Sequence, residues 1–479
     1  MKLNSVSVND AIKQVEDLIE KEKSISPALK AAIKILVTLM TIVIGRLNIN
    51  SKNSSKPPSE DKDRKRGSNR KKSEKKPGGQ DGHIGARLKK IDNPDKIERI
   101  NLDKRKLPKG EYRDVGYEAR QVFDINITRV VTEYRAQILE DQNGNRFVAD
   151  FPARVKSDVQ YGNEVKTNAV YMSQFQLLPY NRIQDQFAEQ MGLPLSAGTV
   201  FNFNKDAYDL LEGFEDYVKR RLIASDLLHA DETGINVNKS RYWLHVASND
   251  KWTHFYPHKK RGNEATNEIG ILPYFSGVLC HDHWYPYYGY KCLHALCNAH
   301  HLRELTWSEE QDNQLWAKDM GALLSKINDD MITAGGVLDK DIVLDYRMQY
   351  RKILEAGDIE CPCPIRKEGQ KGRLKKPKSR NLLERLRDYE EDTLRFMENE
   401  IVPFTNNPGE NDLRMTKVQQ KISGCFRSIE GAYMFCRIRG YLSTCRKNNV
   451  SATEALRLLF QGKIPDFISE SAKNECRRC

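Results

Sequence analysis

The sequence predicts a multidomain protein of the α+β class. Its 479 residues exceed the usual size of a single domain. Helical hydrophobic periods dominate residues 156–222 and 311–400, whereas residues 223–282 show the shorter period of β-strands. Strand-rich and helix-rich stretches that follow one another in this way are typical of α+β folds.

Charge and cysteine content limit the setting in which the protein works. The chain carries 78 Lys and Arg against 66 Asp and Glu, a net charge of +12 that favours DNA or RNA as a partner. None of its ten cysteines precedes Cys280, and they form no secreted disulfide framework. The N-terminus lacks an apolar signal-peptide core, and no apolar run reaches the length of a bilayer span. We therefore expect a cytosolic protein without a membrane segment.

Residues 1–50 predict a helical segment with a short coiled-coil seam. Pro27 stands where a second helix would begin. Six apolar residues then follow at alternating spacings of four and three. This seam predicts either a dimerisation helix or an amphipathic helix that packs on its own domain. The six residues are Leu29, Ile33, Leu36, Met40, Val43 and Leu47.

Residues 51–90 predict a flexible basic linker. They are rich in Ser, Asn, Gly, Pro and charge, which makes them too polar to form a core. Nine basic and three acidic residues lie within 61–76. Such an arm can neutralise phosphates and release counterions, although charge runs are more often merely solvated. The candidate DNA contacts are Arg64, Lys65, Arg66, Arg70, Lys71 and Lys72.

Residues 91–155 predict a small β module. An alternating set of residues has the period of a strand with one buried face; its members are Val130, Thr132, Tyr134, Ala136 and Ile138. The dipeptide Asn143-Gly144 then favours a hairpin turn. We therefore expect at least one hairpin in this segment.

Residues 156–222 predict a helical region that resembles a helix–turn–helix. A first helix would run over 181–191, with Gly192 in the turn. Ser196 is a candidate N-cap for the second helix, because its hydroxyl can accept a backbone N–H of the first turn. Most helix pairs of this kind are ordinary packing, so reading of DNA sequence is the less frequent alternative.

Residues 223–306 predict the first part of a mixed α/β core. Three closely spaced strands are expected at 227–237, 242–248 and 252–258. A short connection leads to a fourth strand at 276–282. This order is typical of a mixed sheet rather than of a purely antiparallel one.

The remaining residues predict a helical insertion, a return to the core and a tail. The insertion covers 307–400, the second part of the core 401–463 and the tail 464–479. Ser451 and Glu454 have the spacing of a capping box, which marks the start of a helix. The helices expected in the second part of the core are 410–422, 431–446 and one that begins at Ser451.

Three carboxylates in the predicted core are candidates for chemistry. Asp231 lies within an apolar strand, Asp282 ends another, and Glu410 begins a helix. Each alone is more often structural, and a Glu in the first turn is favoured by the helix dipole. Acids gathered from two strands and a helix would repel one another unless a divalent cation binds. Two Mg²⁺ ions held by such acids can catalyse in-line phosphoryl transfer.

Motifs along most of the chain resemble the insertion sequence sixty-six family of transposases, and they occur in the same order. Its three acidic motifs resemble HADETG (229–234), SGVLCHDHWYPYY (276–288) and PFTNNPGENDLRMTKVQQKISGCFRSIEGA (403–432). Other parts of the family resemble residues 49–66, 75–88 and 161–193.

The resemblance implies a ribonuclease-H-like catalytic core with an all-helical insertion between the second and third acids. Asp231, Asp282 and Glu410 would form the catalytic, metal-binding triad, with Mg²⁺ as cofactor and Mn²⁺ as its substitute. The implied activity is cleavage at the ends of the insertion sequence, followed by attack of the freed 3′-hydroxyl on target DNA. The alternatives are a DNA-binding regulator without catalysis and a metal-dependent nuclease that cuts without joining.

The implied partners are the transposon ends, the target DNA and further copies of the chain in a homodimer or larger assembly. Whether accessory proteins encoded by the element take part is left open. The implied setting is the bacterial cytoplasm at the nucleoid. Family members often carry a cysteine-based zinc module after the basic linker, but residues 91–155 contain no Cys. Zinc is therefore not expected in this part of the chain.

Basic residues on the predicted third-acid helix are candidate phosphate contacts. Arg414 lies four residues after Glu410, and hence on the same helix face. We weigh a phosphate contact near the scissile bond against a simple ion pair. Lys417 and Lys421 continue the basic face.

A cluster of Cys and His residues follows the second acid. Cys297 and His300 have a spacing that zinc ligands can have, and on a helix they could share a face with His301. The more frequent explanation is a buried polar helix. Arg303 could neutralise a phosphate, but surface pairing is the default.

Overall fold

The computed structural model describes residues 2–3, 6–22, 24, 26–47, 49–50, 52–54, 88–366 and 374–468. Contacts divide these residues into two units. The smaller unit contains residues 88–149 and 186–193, and the larger unit contains the rest. Among the described residues, none of the helices combines the length and the apolar character that crossing a bilayer requires.

The N-terminal segment is helical, as predicted. A short antiparallel pair of strands, β1 (Lys2–Leu3) and β2 (Val6–Ser7), precedes α1 (Val8–Lys21) and α2 (Pro27–Leu47). Pro27 is the first residue of α2, where its fixed φ costs nothing and its missing N–H is not needed. Several seam residues are exposed, so dimerisation through α2 stays a prediction. The exposed seam residues are Leu29, Leu36, Met40 and Val43.

The smaller unit contains one hairpin and little other regular structure. Strands β3 (Ile138–Glu140) and β4 (Arg146–Val148) pair antiparallel around the predicted turn. The strand predicted from Val130 onward is wrong, because residues 107–137 contain no strand. Val130 and Val131 are 87% and 83% exposed. No second layer covers these side chains among the described residues, so alternation alone does not produce a sheet here.

Four helices lead into the core: α3 (Asn163–Val170), α4 (Tyr180–Met191), α5 (Ala197–Leu210) and α6 (Glu212–Ile223). The predicted N-cap is confirmed, because Ser196 Oγ accepts the backbone N–H of Thr199 at 3.0 Å. In the larger unit α3 and α5 pack together, and α5 also contacts the penultimate helix of the chain.

A mixed five-stranded sheet forms the centre of the larger unit. In sheet order the strands are β7 (Thr253–His258), β6 (Ser240–Ser248), β5 (Leu227–Val237), β8 (Val278–His281) and β9 (Leu293–Leu296). The first three pair antiparallel, whereas β8 runs parallel to β5 and β9 parallel to β8. The four predicted strands are confirmed. The fifth strand, β9, was missed because its residues were assigned to a helix.

One α-helix of the described residues lies between β7 and β8 in the chain, and further helices follow β9. They are α7 (Asn263–Ile269), α8 (Asn298–Asp312), α9 (Leu315–Ala334), α10 (Lys340–Glu360), α11 (Lys378–Asp388), α12 (Glu390–Leu394), α13 (Asn407–Ser423), α14 (Ile429–Lys447) and α15 (Ala452–Phe460). The three helices predicted for the second part of the core correspond to α13, α14 and α15. Ser451 Oγ accepts the backbone N–H of Glu454 at 3.2 Å, so the predicted cap of α15 is confirmed.

One face of the sheet carries two adjoining hydrophobic clusters. On β8 and β9, the cluster joins Val278 and Cys280 to the interior of helices α8 to α11. On β5 to β7, it joins Ile235 and Leu244 to helices α13 and α14. Both clusters use the same side of the sheet, because His229 and Cys280 are paired in register and side chains alternate along each strand. The boundary between the clusters falls along β5, because Leu227 packs against the first and Ile235 belongs to the second. Polar side chains of β5 between these two residues therefore lie at this boundary.

Candidate active site

Asp231 lies in β5, opposite Val246 of β6. It is partly buried, and its Oδ1 accepts the backbone N–H of Glu232 at 2.8 Å. Burial raises the pKa of Asp231 well above its usual range, and the charge of Glu232 raises it further. The charges of Asp282 and Glu410 add to this increase. Both of the other predicted acids therefore lie close enough to Asp231 to affect its pKa.

Asp282 follows the last residue of β8 directly. The parallel register pairs His229 of β5 with Cys280 of β8. Asp231 and Asp282 each lie two residues beyond a member of this pair, so they are level with one another, Asp231 in the middle of β5 and Asp282 just past the end of β8. Asp282 Oδ1 accepts the backbone N–H of Trp284 at 3.0 Å, which fixes the turn that leaves the strand.

Glu410 lies in the first turn of α13. The start of this helix is attached to β5 through Asn406, whose Nδ2 donates to the backbone oxygen of Ala230 at 2.9 Å. Asn406 Oδ1 also lies 2.7 Å from His229 Nδ1. Gly409 packs directly on this contact, because a Cβ at its position would lie 3.4 Å from the Cβ of His229. A single amide side chain thus sets the third acid against the strand that carries the first.

The carboxylate of Glu410 has three further neighbours at the start of α8. Its Oε1 lies 4.0 Å from Cys297 Sγ, 3.8 Å from His300 Nδ1 and 3.7 Å from Arg303 Nη2. The ligand atoms of Cys297, His300 and Glu410 all lie within 4.8 Å of one another. Among the residues that the structure describes, Asp231 and Asp282 do not belong to a group this tight.

The predicted Cys and His residues separate into two environments. Cys297 precedes α8 and His300 lies in its first turn, so both face Glu410. The structure does not bring His301 into this group. His301 is buried, and its Nδ1 lies 3.0 Å from Asn298 Oδ1. The segment is part strand and part helix, rather than the single helix that was expected.

A fourth acid, Glu232, was missed by the sequence analysis. Its side chain points to the opposite face of β5 from Asp231, since neighbouring residues of a strand alternate. It is almost fully buried and accepts the hydroxyl of Tyr287 at 2.5 Å and Arg261 Nε at 2.8 Å. Burial raises its pKa, and these two partners oppose the increase. The adjacent acids in HADETG were the available signal, because only one of them can face the site.

Arg261 connects this buried acid to two aromatic rings. Its guanidinium carbon lies 4.8 Å from the ring centre of Trp243 and 4.4 Å from that of Trp284. A cation at this distance is attracted by the ring faces. Trp284 therefore already has a stacking partner next to the turn that begins with Asp282.

The basic candidates differ in their surroundings. Arg414 and Lys421 are exposed on α13. Lys417 Nζ instead donates to the backbone oxygen of Gly234 at 3.2 Å, toward β5. The six linker candidates lie outside the described residues; they are Arg64, Lys65, Arg66, Arg70, Lys71 and Lys72.

Comparison with known protein families adds an independent finding. Residues 158–434 match the family model described as Transposase IS66 family. Residues 2–89 match a second model, described as a family of unknown function (DUF6444). No curated protein matches the chain.

The first match covers the sheet, all three acids and the helices between them. It defines the class of the protein as a transposase, a DNA-processing enzyme. Because the match extends over more than half of the chain, the protein belongs to the IS66 family of transposases. The resemblance seen in the sequence is thereby confirmed.

Proposed function

We propose that this transposase binds the ends of its insertion sequence, cuts DNA there and joins the freed 3′-hydroxyl to target DNA. Asp231, Asp282 and Glu410 are the proposed catalytic acids. The observation that carries this proposal is geometric: the register of β5 and β8 sets Asp231 and Asp282 level on one face of the sheet, and Asn406 attaches the helix of Glu410 to the same strand. Acidic side chains that are held close together raise one another's pKa, and such arrangements are typical of functional sites.

The order of the strands supports a ribonuclease-H-like core. Three antiparallel strands are followed by two parallel ones, with β5 in the middle and β8 beside it. The first two acids then lie on adjacent strands, and the third is carried by a helix on the same face. Helices α9 to α12 lie within the insertion that we propose at 307–400, and α8 crosses its start.

The chemistry of the acids fits a divalent cation. Neither Asp231 nor Asp282 forms an ion pair among the described residues, and carboxylate oxygens are the ligands that Mg²⁺ prefers. We propose Mg²⁺ as the cofactor, with Mn²⁺ as substitute, held by Asp231, Asp282 and Glu410. When bound, the cation supplies Lewis-acid activation of the attacking oxygen and stabilises the leaving one.

The protein's own residues position these acids and contact the DNA. The sheet register holds Asp231 and Asp282 level, and Asn406 holds the start of α13 against β5. Arg414 and Lys421 are exposed on the same helix as Glu410, where they would contact phosphates of the bound strand. We propose that at least two copies assemble, since two transposon ends must be handled together.

Cleavage and joining with wild type and Asp231→Asn test the proposal. The substrate is DNA that carries the ends of the element, some of it supplied with a cut end and a free 3′-hydroxyl. We expect Mg²⁺-dependent cut and joined products from the wild type and a loss of at least about 10³-fold in the variant. Asp250→Asn, which removes an exposed acid from the turn after β6, is the matched control and should retain activity.

Other outcomes would identify the alternatives. Cut products without joined products, even from the pre-cut end, would indicate a nuclease. Equal binding of the ends by wild type and variant with no products from either would indicate a regulator without catalysis. Activity that survives Asp231→Asn would contradict the assignment of the acids.

A further inference from the structure

Cys297 is placed like a metal ligand rather than like an ordinary core cysteine. It lies between β9 and α8, where it is the N-cap residue of the helix. Its sulfur is buried and accepts the backbone N–H of Asn406 at 3.1 Å. A backbone donor aimed at sulfur stabilises negative charge on it. The sulfur also lies 4.0 Å from Glu410 Oε1, so it faces a second ligand atom.

His300 supplies a third potential ligand atom, the Nδ1 of its imidazole ring. Its Nδ1 is buried and has no hydrogen-bond partner there. The nearest acid oxygen, Glu410 Oε1, is 3.8 Å away, which is beyond hydrogen-bond distance. A buried nitrogen without a partner is costly, and binding of a cation would remove that cost.

The three ligand types together select a particular class of metal ion. One thiol, one imidazole and one carboxylate suit Zn²⁺, whereas Mg²⁺ takes oxygen ligands. Zinc bonds of about 2.0–2.3 Å at tetrahedral angles place ligand atoms roughly 3.3–3.8 Å apart. The observed separations of 4.0 and 3.8 Å from Glu410 Oε1 need only small side-chain movements to reach this range.

We propose that Cys297, His300 and Glu410 form a zinc site that inhibits the enzyme. The inhibition rests on the proposed function, because Glu410 cannot serve both the zinc site and the catalytic acids. Zinc binding converts the Cys297 thiol to a thiolate, and the released proton passes to solvent. Arg303, now 3.7 Å from Glu410 Oε1, would give up its ion pair to the metal. Zinc thus holds the carboxylate of the third acid against α8, where it is no longer available to the catalytic cation.

Binding is tested on the metal-free full chain, with Co²⁺ as a spectroscopic probe that Zn²⁺ then displaces. We expect the wild type to show a thiolate-to-cobalt absorption band, and Cys297→Ser to bind one equivalent fewer. Cys363→Ser removes an exposed cysteine that contacts Glu384 and should behave like the wild type. An equal number of equivalents in wild type and Cys297→Ser would overturn the proposal.

His300→Ala keeps the experiment decisive if Cys297→Ser fails to fold. His300 is a quarter exposed, so its removal disturbs packing less. We expect its zinc affinity to fall at least tenfold, because one of three protein ligands is lost. Unchanged affinity in His300→Ala would overturn the proposal as well.

Asp231→Asn distinguishes a failure of the zinc site from a failure of the proposed function. The variant lacks a proposed catalytic acid but keeps all three zinc ligands, so it should bind Zn²⁺ like the wild type. In the cleavage assay, Zn²⁺ added to the Mg²⁺ reaction should inhibit the wild type at concentrations at least tenfold lower than Cys297→Ser. Zinc binding without any DNA cleavage would contradict the proposed function but would still support the zinc site. Equal inhibition of cleavage by zinc in the wild type and in Cys297→Ser would contradict the inhibitory role of the zinc site.

Discussion

Two stretches of the chain share a strand-like alternation but differ completely in structure. Val130, Thr132, Tyr134, Ala136 and Ile138 alternate with other residues as on one face of a strand, yet Val130 and Val131 are exposed and residues 130–137 form no strand. In β5 and β6, Ile235 and Leu244 are buried beneath α13 and α14. Alternation creates a face that can be buried, but a strand requires hydrogen-bonded neighbours and a second layer to cover that face.

The largest expected difference between these stretches is their resistance to trypsin. Extended segments without a hydrogen-bonding partner need no unfolding before cleavage, whereas a core strand must open first. Stability of about 4 kcal/mol would slow cleavage in the core by roughly 10³-fold. We expect early cuts after four exposed arginines, to be mapped by mass spectrometry. They are Arg113, Arg120, Arg129 and Arg135. If trypsin cleaves residues 107–137 no faster than the strands of the sheet, the proposed difference between the two stretches is wrong.

Truncation of core side chains should give the next largest difference. Leu244→Ala removes a fully buried side chain and should cost about 2–5 kcal/mol of unfolding free energy. Val131→Ala is the control, and a change within about 0.5 kcal/mol is expected because its side chain is 83% exposed. Urea unfolding followed by fluorescence measures both. Equal destabilisation by the two variants would mean that residues 107–137 are covered in solution.

Acid should weaken the sheet and leave residues 107–137 unchanged, since this segment contains no His. Burial lowers the pKa of His245 to about 4, against about 6.5 in an unfolded chain. The unfolded state therefore binds the extra proton first, and this part of the stability rises with pH between about 4 and 6.5. Its size is up to about 3 kcal/mol.

The measurement is the difference in unfolding free energy between pH 7 and pH 4.5. It should be smaller in His245→Gln than in wild type. His258→Gln changes a more exposed histidine on the adjacent strand and serves as the control. A difference that is the same in wild type and His245→Gln would rule out the buried imidazole as its source.

The smallest expected effect is a difference in thermal stability between variants of an acid in the sheet and an acid in the smaller unit. In the metal-free protein Asp231 is repelled by its neighbours, so Asp231→Asn should raise Tm by a few degrees while activity is lost. Asp141, in the β3–β4 turn, instead accepts backbone N–H groups of Asn143 and Asn145 at 2.9 Å. Asp141→Asn should therefore give no increase. Thermal melts with a chelator present measure both, and a lower Tm for Asp231→Asn would contradict the repulsion.

Local patterns predicted most of the larger unit because several signals agreed there. The four strands, the caps at Ser196 and Ser451 and the presence of α13 and α14 all follow from short-range rules. Both helices begin two or three residues earlier than predicted. The strand β9 was missed because Leu293–Leu296 is too short to show its period beside the long α8. The β module was overestimated because alternation does not reveal whether a covering layer exists.

The sequence predicted the acids of the candidate site but not the residues that support them. Asp231 and Asp282 could be chosen because a carboxylate interrupts an apolar strand or ends it. The roles of Asn406, Arg261 and Tyr287 depend on contacts between parts of the chain that are far apart in sequence. No spacing rule contains that information.

The attachment of α13 to β5 has a consequence for the order of synthesis. Asn406 and the apolar residues of α13 and α14 leave the ribosome long after the strands that they cover. A nascent or prematurely ended chain that stops near residue 400 would contain two of the acids, but it would expose Ile235 and Leu244. Shortened products would thus be prone to aggregate and be degraded, rather than persist as subunits that occupy DNA ends without cutting them.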